Sequence, residues 1–359
     1  MGMKSKIKTF MGKSLIGVGA WEWYLRRMAQ RKQAIVLTYH RVIEKWDRTL
    51  DYSQPGMVVT ADTLDRQLAF LKKHFNIVPL SYFIDRTPNS RHPKPLCAIT
   101  FDDGWRDNYE IAFPILQKHS VPATIFLTTD FIGTDRTFWH TELMYLLMHG
   151  DVSRYRLLQY VLQAYPSAVS HRWRRLVRSG GTPTAYDLDP LIEAVKATCG
   201  EDEIDNLIRD LRHILGTSGS LLSERRFFLE WDQVREMANG GPEIGSHGCS
   251  HRILTRVNLG DAKEELARSK VEIEARIGQA VLHFAFPDGA ANAELVALVG
   301  LAGYRTASLC RKARDRRGVA ALVLQRLGMH EGVSQRRDGS FSEAALVFWL
   351  LRAPREIWT

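Results

Sequence analysis

Short apolar runs recur along the chain, and their pattern predicts β-strands. Each run is five to eight residues long and is bounded by polar or turn-forming residues. Several runs are apolar almost throughout, as expected of strands whose two faces are both buried. The predicted strands are "AIVLTYH" (34–40), "NIVPL" (76–80), "CAITFDD" (97–103), "PATIFLTT" (122–129), "EIGSH" (243–247), "LHFAFP" (282–287), "YRTASL" (304–309) and "LVLQRLGM" (322–329).

Helix-period patterns lie between these runs. The segment "TADTLDRQLAFLKKH" (60–74) has Thr60 or Asp62 as its N-cap, and "LGDAKEELARSKVEIEARIG" (259–278) ends at Gly278, which fits a C-cap. Strands that alternate with helices favour a parallel sheet. About eight such units predict an α/β fold, a closed or partly closed β/α barrel.

One stretch interrupts this alternation. Residues 131–230 contain helix-period patterns and no convincing strand. We therefore predict a helical insertion at 131–230 in a barrel formed by residues 34–130 and 231–335. Residues 1–33 are predicted to be a basic amphipathic segment, and residues 336–359 a C-terminal helix. Because the insertion leaves the barrel at the carboxyl end of a strand, we expect it to flank the mouth of the active site.

Polar residues follow most of the predicted strands at the point where each strand ends. In a β/α barrel all the carboxyl ends of the strands lie on one face, so these side chains should converge there. Adjacent residues of a strand point in opposite directions, which predicts different roles for the two neighbouring aspartates. The residues at the strand ends are Tyr39, His40, Asp102, Asp103, Thr128, Thr129, His247, Pro287 and Asp288.

Two histidines in "GSHGCSHRILT" have a spacing that suits a metal site. His247 and His251 are four residues apart, so a helix start or tight turn would put both rings on one side. A zinc-protease helix has this spacing but needs Glu after the first His, and Gly248 stands there. Two His and one Asp form a ligand set that leaves metal positions open for water and substrate. Cys249 is expected to point away.

The composition is that of an ordinary globular protein, with 45% hydrophobic and 25% charged residues. The net charge is +9, and basic residues concentrate in 4–32 and 171–178. Such charge can attract nucleic acid, anionic lipid or anionic glycan. The chain has no zinc-finger spacing and no aromatic RNA-binding signature, so nucleic acid is the least supported partner. Four scattered cysteines without a CxxC pair argue against a disulfide framework.

The composition of the N-terminal segment suggests where in the cell the protein is located. No apolar run approaches the length of a transmembrane helix. Residues 1–33 combine Trp21 and Trp23 with many basic residues and one acid, Glu22, which favours peripheral contact with an anionic membrane. We expect a cytoplasmic protein at the inner membrane surface. Packing of residues 1–33 on the barrel as an ordinary helix, and export with cleavage after Ala20, are the alternatives.

Three motifs, "TFDDGWRDN", "SHGCSHRIL" and "FAFPDG", occur in that order. Together with "LTYHRV" and "VPATIFLTT" they resemble the polysaccharide deacetylase family, which includes the chitooligosaccharide deacetylase of nodulation and peptidoglycan deacetylases. The resemblance covers residues 34–130 and 231–330, apart from the insertion and both ends. It implies a distorted β/α barrel and metal-dependent hydrolysis of the N-acetyl amide of a sugar, with release of acetate. The partner would be an N-acetylated glycan or a lipid-linked sugar.

The resemblance also implies roles for the motif residues. A divalent metal ion, most often Zn²⁺, would bind Asp103, His247 and His251, and Asp102 would be the general base. A backbone N–H of the turn at Pro287 and Asp288 would help to stabilise the tetrahedral oxyanion.

Other positions depart from the family pattern or extend it. The family commonly has an aromatic residue where Asp288 stands and often Arg where Ala285 stands. The histidine that protonates the leaving amine is expected late in the chain, and His330 in "RLGMH" and His40 are both candidates. Tyr39 is a candidate for substrate contact, and so are the aromatic residues of the insertion: Phe138, Trp139 and Tyr145.

Two other readings of the same residues are open. A metal-dependent oxygenase also uses two His and one carboxylate, but it normally has a jelly-roll fold and a His-x-Asp pair. A glycan-binding protein with a vestigial site would have no need to keep Asp102, Asp103, His247 and His251 together.

Overall fold

Seven β-strands pair in parallel and close into a barrel. The computed structural model describes residues 12–46, 52–85, 92–149, 160, 163, 183–215, 226–310, 322–336, 338–354 and 356–357. In these residues β1 (Gln33–Tyr39) pairs with both β5 (Leu96–Phe101) and β10 (Leu322–Gly328), which joins the two ends of the sheet. In the order of the ring, the strands are β1 (Gln33–Tyr39), β10 (Leu322–Gly328), β9 (Thr306–Leu309), β8 (His283–Ala285), β7 (Glu243–Ser246), β6 (Thr124–Leu127) and β5 (Leu96–Phe101).

The predicted α/β barrel is confirmed, with seven strands in the closed ring rather than eight. The predicted strand at 76–80 contributes only β4 (Asn76–Ile77), which pairs with the start of β5 beside the ring. The sequence pattern did not predict three other short strands. These are β2 (Arg41–Ile43), β3 (Val58–Thr60) and β11 (Glu356–Ile357), of which β11 pairs antiparallel with the start of β1.

Helices follow most of the barrel strands. The predicted cap of the helix at 60–74 is confirmed, because the Thr60 side chain accepts a hydrogen bond from the Thr63 N–H. Gly278 ends the helix at 259–278 in the left-handed conformation, as predicted. Helices in the described part of the chain include α1 (Ala20–Gln30), α2 (Ala61–His74), α3 (Tyr82–Asp85), α4 (Phe113–His119), α5 (Trp139–His149), α6 (Ala185–Thr198), α7 (Glu201–Ile214), α8 (Trp231–Asn239), α9 (Leu259–Ile277), α10 (Ala293–Leu301) and α11 (Glu343–Leu350).

Side chains alternate between the barrel interior and the surrounding helices. One buried cluster contains alternate residues of several strands, namely Ala34, Val36, Ala98, Phe126 and Leu324. A strand has a side-chain period of two, so even-numbered residues of β1, β5, β6 and β10 face inward. This alternation decides which strand-end residues can reach the centre of the barrel.

The chain divides into two compact units. The barrel unit comprises Met1–Glu44, Val59–Thr134 and Phe228–Thr359. The second unit comprises Lys45–Val58 and Asp135–Phe227, and α5, α6 and α7 pack there around a common apolar core. The sequence analysis assigned the segment before Val58 to the barrel instead. The basic cluster at 171–178 lies outside the described residues.

The Glu243 carboxylate joins several segments at the amino-terminal end of the barrel. Glu243, the first residue of β7, accepts hydrogen bonds from the Leu80 N–H (2.7 Å), the Ser81 N–H (3.1 Å) and the Thr124 hydroxyl (2.9 Å). Nε2 of His283 lies 3.6 Å from the same carboxylate. Glu243 thus holds the loop after β4 against β6 and β7.

We predict that Glu243→Ala lowers the free energy of unfolding by about 2–4 kcal/mol, because it leaves three donors without an acceptor. Urea denaturation followed by circular dichroism measures this change. The matched control is Glu264→Ala at an exposed position of α9, which should shift stability by no more than about 0.5 kcal/mol. Equal stability of the two variants would contradict the structural role of Glu243.

Candidate active site

The carboxyl ends of β5 and β7 bring four of the predicted site residues together. Asp102 and Asp103 directly follow β5, and His247 directly follows β7. His251 comes from the loop after His247. Asp102, Asp103 and His247 are almost completely buried, so their polar atoms must find partners inside the protein.

Asp103 faces both histidines with one oxygen. Its backbone has a φ of 77°, a left-handed conformation that is uncommon for Asp and that turns the side chain away from the strand direction. Oδ2 accepts a hydrogen bond from Nε1 of Trp105 (2.7 Å). Oδ1 has no hydrogen-bond partner within the described residues and lies 3.4 Å from Nε2 of His247 and 3.2 Å from Nε2 of His251.

The two histidines present their Nε2 atoms to this oxygen. The Nδ1–H of His247 donates to the Ala285 carbonyl (2.7 Å), which fixes the tautomer with a lone pair on Nε2. Burial lowers the pKa of His247 to about 4 against the opposing charges of the two aspartates, so the ring is neutral at pH 7. The ring of His251 lies 5.3 Å from that of His247, centroid to centroid.

These three side chains fit a divalent metal ion. One potential ligand atom from each of Asp103, His247 and His251 lies within 4.8 Å of the others. A buried carboxylate oxygen that lacks a donor, together with a neutral imidazole whose tautomer is fixed, is what such an ion requires. Burial alone would raise the pKa of Asp103, but the interaction with His251 lowers it far below its ordinary range. The carboxylate is therefore ionised and able to ligate.

The loop that carries the histidines is held by Glu265 of α9. Glu265 accepts hydrogen bonds from the Cys249 N–H (2.6 Å), the Ser250 N–H (3.1 Å) and the Ser250 hydroxyl (2.5 Å). Gly248 has a φ of 83°, and a Cβ there would lie 2.9 Å from the same carboxylate. The Cys249 thiol lies 3.5 Å from the Glu265 carbonyl oxygen, so it points to α9 and away from the metal ligands as expected.

Asp102 forms a buried ion pair with Arg326 of β10. Nη1 and Nη2 of the guanidinium donate to Oδ1 (2.6 Å) and Oδ2 (2.8 Å), a bidentate geometry. Burial alone would raise the pKa of Asp102, but the charge of Arg326 and the nearby histidines lower it below its ordinary value. The same pair raises the pKa of Arg326, although burial opposes this. Asp102 is therefore ionised and fixed in orientation.

His40 is the histidine candidate that lies close to Asp102. Its Nε2 is 3.8 Å from Oδ2 of Asp102, and its side chain is 21% exposed, so solvent or substrate can reach it. The Asn108 side chain donates to the His40 carbonyl (2.8 Å), and Asp107 accepts from both the Val42 N–H and the Arg41 side chain. The segment after β1 is thus held at several points.

The structure gives His330 different surroundings. His330 follows β10 at the same level as His40 follows β1, because Thr38 and Gly328 are paired. Its ring packs edge-on against that of Trp349 in α11, with the centroids 5.7 Å apart. Trp349 is itself held by a hydrogen bond to the Gly328 carbonyl.

The predicted substrate contact of the Tyr39 side chain is corrected by the structure. Tyr39 is fully buried, stacks on Phe101 and donates its hydroxyl to Gln67 of α2 (3.0 Å). It is an odd-numbered residue of β1 and therefore faces the surrounding helices, whereas His40 faces the interior. Burial raises the pKa of Tyr39, so the phenol stays neutral.

The turn after β8 contains the predicted oxyanion residues. Pro287 is buried, and Asp288 has a left-handed φ of 60°. Pro287 has no N–H, and Gly289 donates its own to the Phe286 carbonyl. A backbone donor from this turn would therefore be Asp288. Trp139 belongs to the second unit, where it packs against the helical core. Its sugar contact stays a prediction.

Several residues that organise the site were not predicted from the sequence. Arg326 is the most informative, because a charged residue inside the apolar run "LVLQRLGM" is itself a signal that an opposite charge lies nearby. Trp105 and Glu265 carried no such signal. The Trp105 ring stacks on Phe228, with centroids 4.7 Å apart, a contact that joins positions far apart in the chain.

Comparisons with known proteins agree with this geometry. The model of the polysaccharide deacetylase family matches residues 89–177 and 197–307, just over half of the chain. A poly-β-1,6-N-acetyl-D-glucosamine N-deacetylase of Staphylococcus epidermidis is 33% identical over 114 residues, which are 29% of this chain and 39% of that protein. The protein of the same name from Staphylococcus aureus is 29% identical over 114 residues, 30% of this chain and 39% of the relative. These matches thus span about two fifths of the length of the curated relatives.

Solved structures with a similar fold have lower identities. IcaB from Ammonifex degensii has a TM-score of 0.49 and 17% identity, covering 82% of this chain and 91% of its own. The Streptococcus pyogenes deacetylase PplD, in complex with acetate, has a TM-score of 0.48 and 16% identity, with coverages of 82% and 92%. Both scores are below 0.5, and the assignment rests on the match to the family model. The chain belongs to the polysaccharide deacetylase family.

Proposed function

We propose that this protein is a metal-dependent hydrolase that removes the acetyl group from an N-acetylated amino sugar of a glycan. The observation that supports this most is the division of labour between two adjacent carboxylates. Asp103 faces two imidazoles, whereas Asp102 is held by Arg326. A metal-assisted hydrolysis needs both a ligand and a base beside the same water.

Asp103, His247 and His251 would hold the metal ion, and we propose Zn²⁺ because two imidazoles and a carboxylate with open positions suit it. The ion would supply Lewis acidity that lowers the pKa of a water molecule and polarises the acetamide carbonyl. The backbone N–H of Asp288 would donate to the oxyanion that forms at that carbonyl.

Asp102 would be the base that takes the proton of the attacking water. Each carboxylate oxygen has two lone pairs, so one on each oxygen remains after Arg326 has donated to both. The ion pair makes Asp102 a weak base but keeps it ionised and aimed in one direction. Such a base suits a water that has already been acidified.

We propose that His40 protonates the leaving amine. Its Nε2 is 3.8 Å from Asp102, and its partial exposure leaves room for a sugar. The C–O bond to water forms and the amide C–N bond breaks. The proton from water goes to Asp102, and His40 gives a proton to nitrogen. The products are acetate and a sugar with a free amine.

The names of the curated relatives indicate the substrate class. Both act, by name, on poly-β-1,6-N-acetyl-D-glucosamine. We propose a glycan that contains N-acetylglucosamine for this protein, with a lipid-linked sugar as the alternative substrate. The parallel barrel does not favour the oxygenase alternative, whose usual scaffold is a jelly roll.

The neighbouring aspartates offer a matched pair of variants that tests this function. We predict that Asp102→Asn retains about one metal ion per chain and loses roughly 10²–10⁴-fold in kcat for acetate release, because only the base is removed. Asp103→Asn should lose the metal together with the activity, because a neutral amide replaces the anionic ligand. Metal analysis and acetate release from N-acetylglucosamine oligomers measure both effects.

The two variants differ by one position and make the same chemical change, so each controls for the other. If Asp102→Asn emptied the site and Asp103→Asn did not, the two roles would be reversed. A wild-type chain that holds metal but releases no acetate from any N-acetylated oligomer would favour the glycan-binding alternative.

The two histidine candidates are tested in the same way. We predict that His40→Asn lowers kcat by at least about 10²-fold with the metal retained, and that His330→Asn lowers it by less than about tenfold. Substrates with better leaving groups than an amino sugar should lose less, because they need no protonation. A larger loss for His330→Asn would assign the acid to His330 instead.

We predict that Glu265→Gln weakens metal binding by roughly 10–100-fold, as expected when a residue that orients the ligands is changed. The amide keeps the size of the side chain but turns an N–H₂ group toward donors on the loop. Competition with a chelator measures the affinity. Glu264→Gln, the exposed neighbour, is the control, and equal affinities for both variants would show that Glu265 does not position the loop.

A further inference from the structure

The N-terminal helix α1 has one face packed on the barrel unit. Trp21, Leu25 and Met28 are buried on this face. The Trp21 ring stacks on Phe70 with the centroids 6.2 Å apart, and it lies edge-on to Phe75. This packing fixes the orientation of α1, so the residues on its other side have defined positions.

The opposite face of α1 is both apolar and basic. Trp23 is 61% exposed, and Val18, just before the helix, is 78% exposed. The Arg27 guanidinium lies 5.3 Å from the centre of the Trp23 ring. An exposed Trp flanked by arginines has no role in the core. It has the amphipathic character of residues found at the membrane–water interface.

A cavity of about 530 Å³ lies beside the end of α1. Its lining includes Arg26, Gln30 and Lys32 from the end of α1 and the residues just after it, and His92 and Lys94 from the segment before β5. None of the described residues that line the cavity is acidic, and Arg26, Lys32 and Lys94 carry positive charge there. The ammonium group of Lys94 donates a hydrogen bond to the Lys72 carbonyl.

The exposed tryptophan and the cavity form one continuous surface. Trp23, Arg26, Arg27 and Gln30 are spaced by three and four residues, so they lie along one side of the helix. Arg26 and Gln30 also line the cavity. A ligand that carries a phosphate in the cavity could therefore place an apolar portion against Trp23.

The surface lies at the end of the barrel opposite the candidate active site. Gln33 and Leu96, which line the cavity, are the first residues of β1 and β5. His40 and Asp102 follow the last residues of the same strands. A strand of seven residues spans roughly 20 Å, so the two sites are separated by about the height of the barrel.

We propose that this surface docks the protein on an anionic lipid bilayer, with a headgroup phosphate in the cavity and Trp23 in the interfacial region. The contact tethers the protein and leaves the active-site end facing the aqueous phase. This orientation favours a glycan that extends away from the bilayer over a sugar linked directly to a lipid headgroup as the substrate. No helix in the described part of the chain is long and apolar enough to cross a membrane.

Vesicle sedimentation of the full chain tests the proposal. The chain should bind vesicles that contain phosphatidylcholine and phosphatidylglycerol, and it should bind vesicles of phosphatidylcholine alone much more weakly. Added salt should release the bound protein. The double variant Arg26→Gln, Lys94→Gln should weaken binding by at least about tenfold, and Trp23→Ala by several-fold. The four lysines in residues 4–13 are present in every variant and add the same background attraction to anionic vesicles. The effect of each substitution is therefore measured as the difference in vesicle binding between variants of the same full chain.

Matched controls come from other exposed positions. Lys263→Gln with Arg305→Gln removes two exposed charges elsewhere on the barrel unit, and Leu301→Ala removes a side chain that is 80% exposed. These variants should bind vesicles like the wild type. Acetate release from a soluble oligosaccharide should be the same in all five proteins, so this test succeeds or fails independently of the proposed enzyme activity.

Four outcomes would overturn the proposal. Equal weakening by the control variants would mean that only net charge matters. Full binding by both Trp23→Ala and the double variant would exclude this surface. If inorganic phosphate at constant ionic strength displaced the protein from vesicles, the cavity would be a site for a free anion. If soluble heparin displaced it and Trp23→Ala had no effect on binding, the cavity would be a site for a polyanionic polymer instead of a bilayer.

Discussion

Two adjacent carboxylates buried at the end of one strand set the main constraint on this structure. A buried charge without a partner is costly, and two like charges in sequence raise that cost further. The chain meets the constraint by turning the two side chains in different directions. Asp102 continues the inward direction of β5 and meets Arg326, whereas the left-handed backbone at Asp103 directs it to Trp105 and the two histidines. Each carboxylate then has its own environment, and different roles follow.

Barrel closure makes this division possible. Asp102 directly follows β5 and Arg326 belongs to β10, and β1 lies between these strands in the closed ring. Arg326 is paired with Val36 of β1, and Val36 with Ala98 of β5. The Arg326 backbone therefore lies at the level of Ala98, which is four residues before Asp102 in the chain. Its long side chain therefore runs up the interior, where its guanidinium also contacts the Thr100 hydroxyl. Without the pairing of β1 with β5, Asp102 would lose both Arg326 and His40.

The sequence was sufficient for the features that depend on local pattern. The barrel strands, the caps at Thr60 and Gly278, and the convergence of the aspartates and histidines at one end of the barrel could be predicted, because they follow from period, turn chemistry and the common direction of parallel strands. The choice of Asp103 as the partner of the two histidines was implied by the family resemblance. The period of two also excludes Tyr39 once β1 is known to face inward at His40. Because adjacent residues of a strand face opposite sides, Tyr39 and His40 cannot both point into the barrel.

The contacts that could not be predicted join distant segments. Glu265 of α9 accepts hydrogen bonds from the loop that carries the two histidines, and Phe228 stacks on Trp105. Neither position has a sequence pattern that indicates its partner. The same holds for the segment before Val58, whose short helical turn gave no sign that it belongs to the second unit. Packing between segments far apart in sequence decides such features, and a single sequence does not contain their register.

The environment of Asp102 also extends beyond the part of the chain that matches the family model. The match covers residues 89–177 and 197–307, so it includes Asp102 but neither His40 nor Arg326. The family often has Arg where Ala285 stands. In this chain Ala285 is a buried residue of the apolar interior, and its carbonyl holds His247. In this chain Arg326 of β10 supplies a buried cation at Asp102. A barrel can place such a cation from any nearby strand, because all strands end on the same face.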